Sequence, residues 1–127
     1  MLYYKGKNGG IKMGYQIYCG KGFDTQKAER FFKERRIPVQ LMDMKKHKLG
    51  RRELETFARA VSAQGLLDKE DKKVKEHPAC YYNQDGMILD AMLEAPWLMR
   101  SPIVRNGNKV TVGYCPQVWE QWIAAEK

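Results

Sequence analysis

Between residues 15 and 44 the apolar period of the chain changes twice, and this limits the possible folds more than any other feature. Tyr15-Gln16-Ile17-Tyr18-Cys19 is a short β-type run, ended by Gly20-Lys21-Gly22. Asp24 or Thr25 then offers an N-cap. Ala28, Phe31, Phe32 and Arg35 recur on one side, which predicts a helix running to Arg36. Residues 38–44 alternate, with Val39, Leu41 and finally Asp43 on one face, and read as a second strand. A strand, a helix and a strand in that order give a right-handed crossover joining two parallel strands.

The rest of the chain must complete that sheet. A loop, Lys45-Lys46-His47-Lys48-Leu49-Gly50, precedes Leu54, Phe57, Ala58 and Val61, whose spacing predicts a helix over 51–63. Residues 66–76 read as a very polar helix. Residues 87–93 form another, with Met87, Ile88, Ala91 and Met92 as its apolar stripe, stopping before Pro96. Residues 101–105 are extended, Asn106-Gly107 is a hairpin turn signal, and 109–114 is the partner strand. Pro116 opens a last helix with Val118, Trp119, Trp122 and Ile123 on its apolar face. The expected fold is an α/β, mixed four-stranded sheet of order βαβ and then ββα, with a helical insertion between the halves.

Composition excludes several classes. The 127 residues suit one domain, and 43% hydrophobic with 30% charged residues argues against disorder. No apolar run approaches the ~20 residues of a membrane span. Residues 1–12 lack the pattern of a signal peptide, so a cytoplasmic protein is expected. In Asn8-Gly9-Gly10-Ile11-Lys12-Met13, the two glycine codons can encode a ribosome-binding sequence two codons before Met13. The expectation is a domain over 13–127 started at Met13, with 1–12 a translated leader; the alternative is an ordinary flexible tail. Net charge is +8. Ten Lys or Arg fall between Lys27 and Arg52, against Glu29, Glu34 and Asp43. Such a stretch is either a solvated face or a contact for phosphate, acidic protein or an anionic ligand.

Two segments resemble the arsenate reductase family, which also holds the Spx-type transcription regulators. Asp24-Thr25-Gln26-Lys27-Ala28-Glu29-Arg30-Phe31-Phe32-Lys33-Glu34-Arg35-Arg36-Ile37-Pro38 is similar to the family's first helix. Trp97-Leu98-Met99-Arg100-Ser101-Pro102-Ile103-Val104-Arg105-Asn106-Gly107 is similar to its second signature. The resemblance runs over residues 13–122 and implies a thioredoxin-like fold. It also implies redox chemistry at a cysteine between the first strand and the first helix, where the helix N-terminus and nearby Arg lower the thiol pKa. Three arginines would hold the oxyanion. By the same resemblance the Ser101–Pro102 bond is expected to be cis.

The chain departs from that pattern at each chemical position. The nucleophile position falls on Gly22, and the second cysteine of the C-x-x-C version on Thr25. The family's arginines fall on Ser101 (with Arg100 beside it), Cys115 and, most loosely, Asp68. Cys19 is the thiol that could take over. It is either reactive, beside Lys21 or Arg100, or a small residue closing a strand. Cys115 belongs to the same end of the sheet, but the thioredoxin-like order that the resemblance implies puts one strand between them, and two strand spacings of ~10 Å exceed the ~7 Å limit for a disulfide. The expected site is lined by Cys19, Gly20, Lys21, Gly22, Phe23 and Thr25, facing Arg100, Ser101, Pro102 and Cys115. Gly20-Lys21-Gly22 is either a plain turn or an anion-binding loop.

Other chemistry finds little support. His47 and His77 do not pair with a cysteine at metal-ligand spacing, and no metal or bound cofactor is expected. Trp119 and Trp122 have core spacing, and direct nucleic-acid binding is not expected. The resulting expectation is a degenerate or non-arsenate redox or regulatory family member that meets an acidic surface such as RNA polymerase. The alternative is a thiol-dependent oxidoreductase using Cys19, with glutathione, thioredoxin or glutaredoxin as co-substrate.

Overall fold

A computed structural model describes residues 14–20 and 22–126. The expected leader 1–12, the Met13 start and Lys21 lie outside the described residues.

Strand β1 (Tyr15–Cys19) leads through helix α1 (Phe23–Glu34) into β2 (Val39–Asp43). The insertion follows as α2 (Arg51–Val61), α3 (Ala63–Leu66), α4 (Lys72–Lys75) and α5 (Asp85–Glu94). Strands β3 (Ile103–Asn106) and β4 (Lys109–Val112) and helix α6 (Pro116–Ala125) complete the chain. The sheet order is β2-β1-β3-β4. β1 and β2 are parallel, with Ile17 opposite Leu41, and β3 is antiparallel to both β1 and β4. This is the expected βαβ–ββα arrangement.

Strand alternation divides the core in two. Tyr15 and Ile17, with Val39 and Val104, face α1 and α6 and pack on Phe31, Phe32, Trp119 and Trp122. Tyr18, Ile103 and Val110 face the insertion and pack on Leu54, Phe57, Leu66, Ile88 and Met92. The buried Trp119 indole donates to the Thr111 hydroxyl at 2.8 Å, so its one polar atom is satisfied.

Several local expectations are corrected. α1 is capped by Gly22 rather than Asp24 or Thr25, with no side-chain cap, and ends at Glu34 before Arg36, whose φ is +56°. α2 stops at Val61 because Ser62 takes φ +74° and restarts the chain as the cap of α3. The polar helix expected over 66–76 is largely absent. Leu67 instead bridges to Met99, and Arg100 N–H donates to the Leu66 carbonyl at 2.8 Å. That pairing buries Leu66 and Leu67 side by side, and only the single turn of α4 remains helical. The hairpin loop is Gly107-Asn108 rather than Asn106-Gly107. Asn106 still pairs with Lys109, and Gly107 supplies the positive φ, +67°, at the first loop position. Met87 and Val118, expected on apolar stripes, are exposed, since Leu89 and Trp119 take the inward positions beside them.

Candidate functional site

Because β3 runs antiparallel to its neighbours, the end of β1, the start of β3 and the end of β4 lie at one edge of the sheet. The N-termini of α1 and α6 follow the ends of β1 and β4 directly, so both positive dipole ends serve this edge.

The first wall is the β1–α1 turn. Thr25 is buried, and its hydroxyl both accepts from the Gly20 N–H and donates to the Gly20 carbonyl, each at 3.4 Å. Gly20 lies against the second wall, the Ser101–Pro102 segment, whose peptide bond is cis as expected. A Cβ on Gly20 would stand 2.5 Å from both Cβ and Oγ of Ser101, so only glycine fits. Gly22 is glycine for a different reason. Its φ of +105° is closed to ordinary L-residues, yet nothing lies within 4 Å of where its Cβ would be. Phe23 points outward and is 79% exposed.

Arg100 crosses to the β4 side, with Nη2 3.1 Å from where a Cβ on Gly113 would stand. Gly113 takes φ +84° and its N–H donates to the Pro102 carbonyl at 2.8 Å. Cys115 follows as the cap residue of α6, and its thiol donates to the Val112 carbonyl at 3.4 Å. Burial pushes the Cys115 thiol pKa up, and the Arg100 cation offsets part of that rise. Arg100 and Cys115 are therefore brought together, as are Gly20, Thr25 and Ser101.

Cys19 is half-buried on the α1 side of the sheet. Its thiol donates weakly to the Ile17 carbonyl at 3.6 Å and lies 3.9 Å from a Glu29 carboxylate oxygen. Burial first, then the Glu29 and Asp43 charges, pushes its pKa up to about 11. Cys19, Cys80 and Cys115 are all free thiols.

Two features were not foreseen from sequence. The first is a cavity of about 330 Å³ beside Gly20 and Ser101, lined further by Cys19, Met44, Lys45, Pro96, Trp97 and Met99. The second is a polar hub on the insertion side. Glu53 accepts from the Tyr18 hydroxyl at 2.8 Å and from the Gly50 N–H at 2.9 Å, and His47 Nε2 lies 3.2 Å away. The cavity had no local signal, because it joins residues far apart in the chain; in the hub, Gly50 and Glu53 have the spacing of a helix cap, and only the Tyr18 contact is distant. Among the described residues no group of three His, Cys, Asp or Glu could hold a metal ion, and no helix is long and apolar enough to cross a membrane.

Comparison with known proteins adds a family model described as "ArsC family", which matches residues 23–122. No curated protein matches the chain. Among solved structures, an arsenate reductase from Vibrio cholerae is similar at TM-score 0.72 and 21% identity, over 84% of this chain and 95% of that one. An arsenate reductase (ArsC) related protein from Brucella melitensis is similar at TM-score 0.65 and 24% identity, over 87% and 95%. The YFFB (PA3664) protein is similar at TM-score 0.76 and 17% identity, over 84% and 96%. At these identities the likeness to the solved structures is one of fold.

Proposed function

Because the chain belongs to the ArsC family, we propose that it is a member without the usual thiol chemistry, a cytoplasmic regulatory module that keeps the thioredoxin-like platform and binds an acidic protein surface. The observation that carries this reading is the setting of Cys19. A nucleophilic thiol needs a cation or a helix N-terminus to favour its thiolate. Among the described residues, Cys19 instead has burial and two carboxylates, and its pKa rises to about 11. Gly22, where the resemblance puts the nucleophile, supplies no sulfur.

The basic side supports the binding half of the reading. Lys27, Arg30 and Lys33 stand exposed along α1, and Lys45, Lys46 and Lys48 stand exposed after β2. Charges of one sign on a surface steer a partner of the opposite sign. RNA polymerase is the partner that the resemblance to Spx-type regulators suggests.

The test is alkylation of each cysteine against pH, resolved by mass spectrometry, beside an arsenate reduction assay with glutathione. The expected result is a slow Cys19 and no arsenate reduction. A Cys19 that reacts fast, with an apparent pKa well below the ~8.5 of a free thiol, would replace this reading with an oxidoreductase using Cys19 and glutathione or thioredoxin. Binding to RNA polymerase that weakens with added salt is the matching positive result.

A further inference from the structure

The cavity beside Gly20 has a character that differs from the Arg100–Cys115 side. Its floor is made by Met44 and Met99, both nearly closed to solvent at 8% and 4% exposed. Trp97 lines it and is 40% exposed, so much of a large indole has no cover from its own chain. That indole is nevertheless held in place. The Lys73 ammonium lies 4.9 Å over the ring, and the His77 ring meets it nearly at right angles with centroids 5.7 Å apart. The adjoining loop is fixed as well. Met44 N–H donates to the Cys19 carbonyl at 3.1 Å, and Lys45 N–H donates to the Asp43 carboxylate at 2.9 Å.

These surfaces favour one kind of ligand. Thioether sulfur makes favourable contacts with aromatic rings, and an indole prefers an aromatic partner in offset or edge-on packing. Lys45 is the charged side chain among the described lining residues, with Lys46 and Lys48 exposed nearby on the same loop. The Asp43 carboxylate, the nearest acid on that loop, is turned to the Lys45 backbone. At about 330 Å³ the cavity is at the small end of ligand pockets. We infer that this cavity is a binding site for a small aromatic carboxylate, with the ring between Trp97, Met44 and Met99 and the carboxylate on the Lys45 ammonium.

This inference goes beyond the proposed protein-binding role: Arg100 and the α1 cations do not line the cavity, and Lys45 is a basic residue that it shares with the face proposed to meet a partner, so the Trp97 indole is the readout that separates the two. The experiment is titration of the full chain with phenylacetate, and separately with the neutral phenylacetamide, followed by amide and indole N–H resonances. Saturable shifts are expected at the Trp97 indole and at the Gly20 and Met99 amides, with the Trp119 indole, Gly113 and Cys115 unmoved. Phenylacetate should bind more tightly than phenylacetamide. Lys45→Gln, a change at an exposed side chain, should weaken phenylacetate about three- to fivefold, the effect of losing one solvent-facing ion pair, and remove the difference between the two probes. Shifts that do not saturate, equal binding of the two probes to the parent chain, or shifts centred on Gly113 and Cys115 would each overturn the inference.

Discussion

Replacing Glu29 by Gln should make Cys19 more acidic, and by an amount the geometry allows to be worked out. The Glu29 carboxylate oxygen lies 3.9 Å from the Cys19 sulfur. Two unit charges at that distance repel by about 1 kcal/mol in water and about 4 kcal/mol at an effective dielectric of 20. The pair is only partly buried, so solvent screening puts the cost toward the lower figure, about 1.4 kcal/mol or one pKa unit. The Cys19 pKa should therefore fall from about 11 by about one unit. It should stay above the ~8.5 of a free thiol, because burial, the largest cause of the rise, is untouched.

The rate at fixed pH changes less than the pKa. Thiolate content rises about tenfold, but a less basic thiolate is a weaker nucleophile, with a Brønsted slope of about 0.4–0.5, so alkylation near neutrality should quicken only about three- to fourfold. The assay is iodoacetamide labelling between neutral and mildly alkaline pH, with the Cys19 peptide read by mass spectrometry. The parent rate should climb about tenfold per pH unit without levelling off below about pH 10, as a largely protonated thiol requires. Asp43→Asn should act in the same direction more weakly, because Asp43 ranks behind Glu29. A parent curve that levels off at or below ~8.5, or an unchanged rate in Glu29→Gln, would refute this account of Cys19.

Two further outcomes follow from the same edge of the sheet and its support. Gly20→Ala should destabilise the fold by about 1–3 kcal/mol through overpacking against Ser101, and Gly22→Cys by about 1–3 kcal/mol through backbone strain alone; urea unfolding measures both, and adding Ser101→Gly should rescue only the first. Glu53 gives a pH signature. Burial alone would raise its pKa, but the Gly50 N–H, the Tyr18 hydroxyl and His47 outweigh it and the net shift is downward. Its contribution is therefore present above the ordinary carboxyl pKa and lost as pH falls through the depressed folded value. Glu53→Gln should cost about 1 kcal/mol at neutral pH and give a flatter fall in stability below about pH 4.5.

The parts of this fold that could be read from sequence are those decided by neighbours in the chain. The period change around Gly20 and Gly22, the Gly107 hairpin and the Pro116 helix start each carry their own signal, and together they imply a mixed sheet; its lateral order, β2-β1-β3-β4, followed only from the resemblance. The segment from Leu66 to Glu76 misled because its pairing partner, Met99, lies far along the chain. The cavity was invisible for the same reason, since Met44 and Trp97 meet only after the insertion has folded over the sheet.

Gly20 and Gly22 show where this limit touches function. In sequence they look like equivalent turn residues. In the folded chain one is glycine because Ser101 presses against it, and the other because its backbone turns to positive φ in open space. A thiol at position 22 would thus meet no steric barrier, but its residue would have to adopt a backbone that L-residues avoid. The turn is built around glycine in its geometry as well as its chemistry, so a sulfur restored there by a single exchange carries a backbone strain of about 1–3 kcal/mol that only a reshaped approach to α1 would relieve.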